Sequence, residues 1–205
     1  MKSSIEEQLE RRILLLDGGF GTMVQGCGVE EATYRGERFR SWDRQLRGCN
    51  DLLALTAPHI VREIHEKYLA AGADIIETDS FNANAVSLAD YGLEGHAYEI
   101  ARAAAAVARA AADTFTTRNP HKPRFVAGSI GPTNRTLSMS ADVNDPAARE
   151  IDFTTMCAAY REQVRGLIDG GADLLLVETV FDTLNAKAAL AAIDDECRAR
   201  ERRIP

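Results

Sequence analysis

The chain has 205 residues, 45% hydrophobic and 27% charged, with 15 Gly, 6 Pro and 4 Cys, which is globular chemistry and excludes disordered, collagen-like and disulfide-scaffold classes. A net charge of -7 argues against nucleic acid or an anionic membrane as the main partner, and no apolar run approaches the roughly 20 residues of a membrane span. The opening Met1-Lys2-Ser3-Ser4-Ile5-Glu6-Glu7 lacks the apolar core of a signal peptide, and cysteines at 27, 49, 157 and 197 form no CxxC pair, so a reduced, cytoplasmic chain is expected.

The first predicted element is a short helix over 3–12, with Ser3 and Glu6 spaced as a capping box. Ile13-Leu14-Leu15-Leu16 then reads as a buried strand, running into the turn Asp17-Gly18-Gly19. Cys27 lies in the loop after the first strand with no role supported, and the segment 35–47, with several arginines around Trp42, could dock an acidic partner domain but reads better as a solvated loop. Residues 58–71 predict a helix: Ile60, Ile64 and Leu69 recur on one side, and Pro58 suits the first turn. His59 and His65, among Glu63, Glu66 and Lys67, are expected on its solvated face. Asp74-Ile75-Ile76 is the second strand, and an alanine-rich helix follows over 99–113. Arg124-Phe125-Val126-Ala127 is the third strand. A helix over 152–169 places Met156, Tyr160, Val164 and Leu167 at helical spacing. Asp173-Leu174-Leu175-Leu176-Val177 is the fourth strand, and a helix over 184–203 closes the chain. Cys157 and Cys197 fall in helices and are expected to pack.

The strands are continuous apolar runs without alternation, which fits a parallel sheet covered on both faces. An internal echo supports a βα repeat. Ala71-Gly72-Ala73-Asp74-Ile75-Ile76-Glu77-Thr78 resembles Gly170-Gly171-Ala172-Asp173-Leu174-Leu175-Leu176-Val177-Glu178-Thr179. In each, a helix ends on glycine and a strand delivers Glu-Thr at its far end. Two architectures fit: a small doubly wound domain, or about the first four units of a (β/α)8 barrel, which takes eight units and typically about 250 residues.

Both architectures bind ligands at the C-terminal ends of the strands. Asp17, Glu77 and Glu178 therefore converge on one rim, a set suited to an ammonium group, a hard metal ion or acid/base work. The Gly18-Gly19 turn can present backbone N–H groups to a carboxylate or phosphate. Acids beside free N–H donors could hold both ends of an amino-acid zwitterion. The glycines match neither a dinucleotide fingerprint nor a Walker loop, and His65-Glu66-Lys67-Tyr68 is not a zinc-protease motif.

These residues resemble the homocysteine-binding domain of cobalamin-dependent methionine synthase. The resemblance is carried by Asp17-Gly18-Gly19-Phe20-Gly21-Thr22, by Gly72-Ala73-Asp74-Ile75-Ile76-Glu77-Thr78 with Phe81-Asn82, and by Gly131-Pro132-Thr133-Asn134-Arg135-Thr136 through Asp142-Val143-Asn144-Asp145-Pro146. Val177-Glu178-Thr179-Val180-Phe181-Asp182-Thr183-Leu184-Asn185-Ala186-Lys187 carries it too. The first motif is common to homocysteine S-methyltransferases; the Asn134 to Asn144 region and the run from Phe181 to Lys187 are similar to the cobalamin enzyme in particular. The resemblance implies a (β/α)8 barrel in which a zinc-bound homocysteine thiolate takes a methyl group from methylcobalamin to give methionine. It implies Asp17 and Glu178 near the substrate ammonium, Gly18 and Gly19 at its carboxylate, and Glu77 and Thr78 in the pocket wall.

The family's zinc is held by three cysteines on later strands, and none of the four here matches them. The expectation is therefore an N-terminal part of the barrel, over 1–205, whose partners are homocysteine and the remaining barrel, folate and cobalamin domains. Zinc and cobalamin are expected of the full-length enzyme and not of this chain alone. The chain by itself is expected to bind homocysteine weakly, to lack activity, and to associate or be poorly stable through unpaired strand edges. The alternatives are a cobalamin-independent methyltransferase using betaine or S-methylmethionine, and a non-catalytic amino-acid-binding module.

Overall fold

A computed structural model describes residues 4–140 and 142–205. In chain order these form α1 (Ile5–Leu9), α2 (Phe20–Gly26), α3 (Glu31–Arg35), α4 (Leu53–Thr56), α5 (Pro58–Ala71), β1 (Ile75–Glu77) and α6 (Ala85–Leu88). Then come α7 (Ala97–Arg118), β2 (Phe125–Ile130), α8 (Phe153–Asp169), β3 (Leu174–Val177) and α9 (Thr183–Ala199). The sheet is parallel with order β1-β2-β3, Ile76 opposite Val126 and Ser129 opposite Leu176. This is a mixed α/β fold with a parallel sheet.

The expected first strand is only a bridge. Leu16 pairs in parallel with Ile75, while Ile13 and Leu15 stay exposed. Among the described residues it has a strand neighbour on one side only, so burial on both faces is not there to hold it in a longer ladder. β2, paired on both sides, is buried throughout, and β3 is half-buried. The leading helix also differs from expectation. Ser3 lies outside the described residues, and the cap is Ser4, whose Oγ accepts from the Glu7 N–H while the Glu7 carboxylate accepts from the Ser4 N–H. The stretch Ser-Ser-Ile-Glu-Glu permits two overlapping boxes, and the one formed buries Ile5.

The longer helices stand close to prediction. α5 begins on Pro58 and ends at Gly72, whose φ of 117° is the left-handed cap that glycine supplies. α7 extends past the expected 99–113 at both ends, and α9 stops at Ala199, short of 203. There Glu201, at φ 49°, turns the chain so that Ile204 is buried and the Pro205 carbonyl accepts from the Leu175 N–H. α7 packs between α5 and α8, and α8 between α7 and α9. Buried alanines at 101, 104, 105 and 108 let α8 come close. Gly166 sits at that contact, where an added Cβ would meet the Tyr98 carbonyl at 2.5 Å.

The arginine segment is largely exposed, as expected, but it is also pinned to its surroundings. Arg35 donates to the carbonyls of Trp42 and Arg44, Arg38 pairs with Glu99 on α7, and Trp42 Nε1 donates to the Tyr91 carbonyl at 2.9 Å. A guanidinium has five donors in a fixed fork, and here they satisfy loop carbonyls that water would otherwise take.

The sequence echo is also a structural one. Asp74 and Asp173 each stand just before a strand and accept a backbone N–H from the neighbouring strand segment, Leu15 at 3.0 Å and Val126 at 2.8 Å. Each also pairs with an arginine, Arg12 and Arg109 respectively. Burial opposes ionisation of Asp74, but the two Arg12 bonds, the Leu15 N–H and Lys122 hold its carboxyl below the usual range. Its contribution to stability is therefore present above the unfolded carboxyl pKa and lost as pH falls through the native one. Asp74→Asn is expected to cost about 2 kcal/mol at pH 7. Urea unfolding should show the difference shrinking in acid; a loss that persists unchanged there would mean the carboxylate charge is not its source.

Candidate functional site

Glu77 and Glu178 line a cavity of about 500 Å³ at the C-terminal end of the sheet, and Asp17 stands beside them without lining it. The Asp17 N–H donates to the Ile75 carbonyl, and both carboxylate oxygens accept from the Glu77 N–H at 3.1 Å. Asp17 is thereby locked to the end of β1. Glu178 follows β3, and its Oε1 accepts from Ser129 Oγ, on the intervening strand, at 2.5 Å. Glu77 is hydrogen-bonded to Glu178. Three acids from neighbouring strand ends are thus crowded together and only partly solvated. Burial and the neighbouring Glu178 push Asp17 up to about 7. Burial, then the charges of Glu178 and Asp17, push Glu77 up to about 8.

The other predicted residues take different parts. Thr78 lines the cavity, but its hydroxyl is occupied: Oγ1 lies 2.6 Å from Ser80 Oγ and accepts from the Ser129 N–H at 3.0 Å. Thr78 therefore fixes the loop after β1. Gly18 and Gly19 line the mouth, with the Tyr68 hydroxyl donating to the Gly19 carbonyl at 3.2 Å. Neither glycine needs a left-handed φ. Thr179 does adopt one, at 56°, directly after Glu178. For a β-branched residue that is a strained conformation, and it sits where the chain aims Glu178.

The cavity is also lined by Phe81 and Asn82, which carry part of the resemblance, and by Asp51 and Asp79, which the sequence reading did not single out, with Asn50 and Gly48. Asp51 is buried, and its Oδ1 accepts from the Asn82 N–H at 2.8 Å. No Lys, Arg or His lines the cavity among the described residues. His65 is a correction: it is fully buried, with its ring 5.3 Å from that of Phe20, and burial lowers its pKa to about 4. It shares the i, i+3, i+4 stripe of Val61, Ile64 and Leu69, a signal that was present in the sequence.

The family model for homocysteine S-methyltransferase matches residues 14–204. The chain belongs to the homocysteine S-methyltransferase family. Among solved structures it is similar to the homocysteine methyltransferase MmuM from Escherichia coli. The oxidized form aligns at 26% identity and a TM-score of 0.70, covering 93% of this chain and 61% of that one. The metallated form aligns at 26% and 0.70, covering 93% and 62%. The apo form, at 24% identity and 0.62, shares the fold. The chain thus spans about three-fifths of the length of these relatives.

The thiolate metal centre implied by the resemblance does not fit the residues here. Cys27 is exposed, Cys49 is buried, and Cys157 and Cys197 pack from α8 and α9 against the core. Among the described residues no group of three His, Cys, Asp or Glu side chains is placed to hold a metal ion. No helix among them is long and apolar enough to cross a membrane.

Proposed function

We propose that this chain holds the amino-acid end of homocysteine during methyl transfer to its sulfur, as part of a methionine synthase of the cobalamin-dependent type. The observation that carries the reading is Glu77 and Glu178 on the cavity wall with Asp17 beside them, and no basic side chain lining the cavity among the described residues. Without ligand, Asp17 and Glu77 retain protons that water-exposed carboxyls would lose. An ammonium group supplies the missing positive charge and three donors, and so displaces those protons. Zinc and cobalamin enter this reading only as groups of the full-length enzyme; the chemistry of these residues is binding and orientation.

The cobalamin-type assignment is supported by two motif runs that fold into one structure. Asp182, buried at the start of α9, accepts from the N–H groups of Leu137 and Ser138, each at 2.9 Å. Asn185 accepts from the Leu137 N–H at 3.1 Å and donates to the Arg135 carbonyl at 2.8 Å. The segment after β2 and the segment after β3 are thus one interlocked rim. A second reading, a cobalamin-independent enzyme with a cationic methyl donor, is favoured by the same acid-rich, base-free cavity. Methyl transfer by the full-length protein from S-methylmethionine or betaine without cobalamin would decide for it.

The binding role is tested by ligand-observed NMR with millimolar L-homocysteine. Affinity is expected to rise with pH through the range in which Asp17 and Glu77 ionise, about 7 and about 8. Glu178→Gln is expected to weaken binding by about tenfold or more. Equal affinity in the variant would remove Glu178 from the ammonium site.

A further inference from the structure

The face of the sheet that carries Glu77 and Glu178 also carries a hydroxyl. In the parallel register Glu77 stands opposite Ala127 and Ser129 opposite Leu176. Glu77, Ser129 and Glu178, two residues beyond Leu176, therefore share one face at neighbouring strand ends. Ser129 is 2% exposed and lines the cavity. Its backbone is clamped: the N–H donates to Thr78 Oγ1 at 3.0 Å, and the carbonyl accepts from Ser80 Oγ at 2.8 Å and from Gln163 Nε2 at 3.3 Å. Its hydroxyl has one hydrogen, which goes to Glu178 Oε1 at 2.5 Å, in the short range of hydroxyl-to-carboxylate bonds. The Glu178 N–H is held too, donating to the Ile130 carbonyl at 3.1 Å. The strained Thr179 follows at once, and such strain persists only where the surroundings fix the chain.

Resting on the homocysteine reading, we propose that Ser129 is a positioning residue, whose hydroxyl aims Glu178 at the ligand ammonium and leaves the proton of the Glu77–Glu178 hydrogen bond on Glu77. The reason is donor arithmetic. Two carboxyl groups bonded to each other need one proton between them. A hydroxyl donating to one of them favours that one as the anion and leaves the proton to the other. Glu77, which holds its proton up to about 8, agrees with that placement. The groups around the pair do not reverse it. Asp17 stands beside the glutamates, and Asp51 and Asp79 line the same cavity. From α5, Tyr68 faces Asp17 and Glu77 with its hydroxyl on the Gly19 carbonyl, and His65 is buried against Phe20. Behind β2, α7 brings buried alanines, and α8 brings Gln163 and Tyr160, whose hydroxyl donates to the Gly131 carbonyl. On β3, α9 packs with its own alanines, and Asp182 at its start is turned to the N–H groups of Leu137 and Ser138. An arriving ammonium thus meets an oriented anion in Glu178 and displaces the proton held by Glu77.

Ser129→Ala removes the hydroxyl and little else. The first measurement is an NMR titration of the ligand-free chain labelled in its glutamate carboxyl carbons, with the Glu77 signal assigned by its loss in Glu77→Gln. In wild type that carbon should titrate in full at about 8. In Ser129→Ala its change through the same step is expected to fall to about half, because the proton spreads over the pair. A Glu77 carbon that does not titrate there in wild type, or that keeps its full change in the variant, overturns the placement of the proton. The second measurement is affinity for L-homocysteine at pH 7. Ser129→Ala is expected to bind about fivefold more weakly, and to make no further difference in a Glu178→Ala background. A loss that persists in that background would show that Ser129 acts on the ligand or the strand and not through Glu178. Equal affinity in the single variant would show that it acts on neither, and either result overturns the inference. A wild-type chain that binds no homocysteine overturns the homocysteine reading and the aim of Glu178 at an ammonium, whereas the ligand-free titration still decides where the proton sits.

Discussion

Gly131→Ala is expected to destabilise the chain by about 3 kcal/mol and to abolish homocysteine binding together with the shape of the cavity. Gly131 directly follows β2, and its N–H donates to the Phe81 carbonyl at 3.0 Å. A methyl group there would lie 2.5 Å from that same carbonyl oxygen and 2.8 Å from the Phe81 ring. Neither side can yield easily. The Tyr160 hydroxyl holds the Gly131 carbonyl at 3.1 Å, and Asn82, the residue after Phe81, is held by Asp51 and by its own bond to the Pro132 carbonyl. Because Phe81 lines the cavity, moving it to relieve the clash moves the wall. The urea midpoint should fall with an unchanged slope. A midpoint equal to wild type would show that the contact relaxes freely and that the wall is not rigid.

Glu77→Gln is expected to stabilise the protein in alkaline solution while removing its affinity for homocysteine. The native Glu77 carboxyl titrates near 8, above its unfolded value, so between the two the native state binds the extra proton. Stability therefore falls as pH rises through that window, and the amide, which cannot ionise, is spared the loss. The variant should match wild type near pH 5 and exceed it by about 1 to 2 kcal/mol near pH 8.5, a figure reduced for the solvent that screens a half-open site. Thermal unfolding at the two pH values reads the difference directly. A gap that does not widen with pH would mean the shared proton resides elsewhere. The opposed effects on stability and binding are what a site built from crowded like charges should give: its empty form is strained, and a cation relieves it.

Much of the scaffold was legible because it depends on short-range rules. The limits of α5 follow from Pro58 at its start and Gly72 at its end. The caps of α8 and α9 are Asp152 and Asp182, each accepting a backbone N–H from the first turn. The repeated Gly-Ala-Asp followed by strand and Glu-Thr predicted both the parallel arrangement and the placement of Glu77 and Glu178. Strand 13–16 misled because an apolar run reports the wish to be buried and not whether a neighbour is present to bury it. The helical stripe carrying His65 was visible, but its polar neighbours Glu63, Glu66 and Lys67 lie on other faces, and charge counted along the chain hides what spacing around the helix reveals.

The local grammar of the chain thus decides the limits of α5 and α8, the parallel course of the strands before Glu77 and Glu178, and the rim on which Asp17, Glu77 and Glu178 stand. Their chemistry is decided only in three dimensions. Whether a carboxyl keeps its proton depends on solvent and on charges a few ångströms away, and here those neighbours are about 60 and 100 residues distant along the chain. The same holds for Asp51 and Asp79, ordinary polar residues of two connecting segments until the packing of the sheet and its loops closes the water out around them.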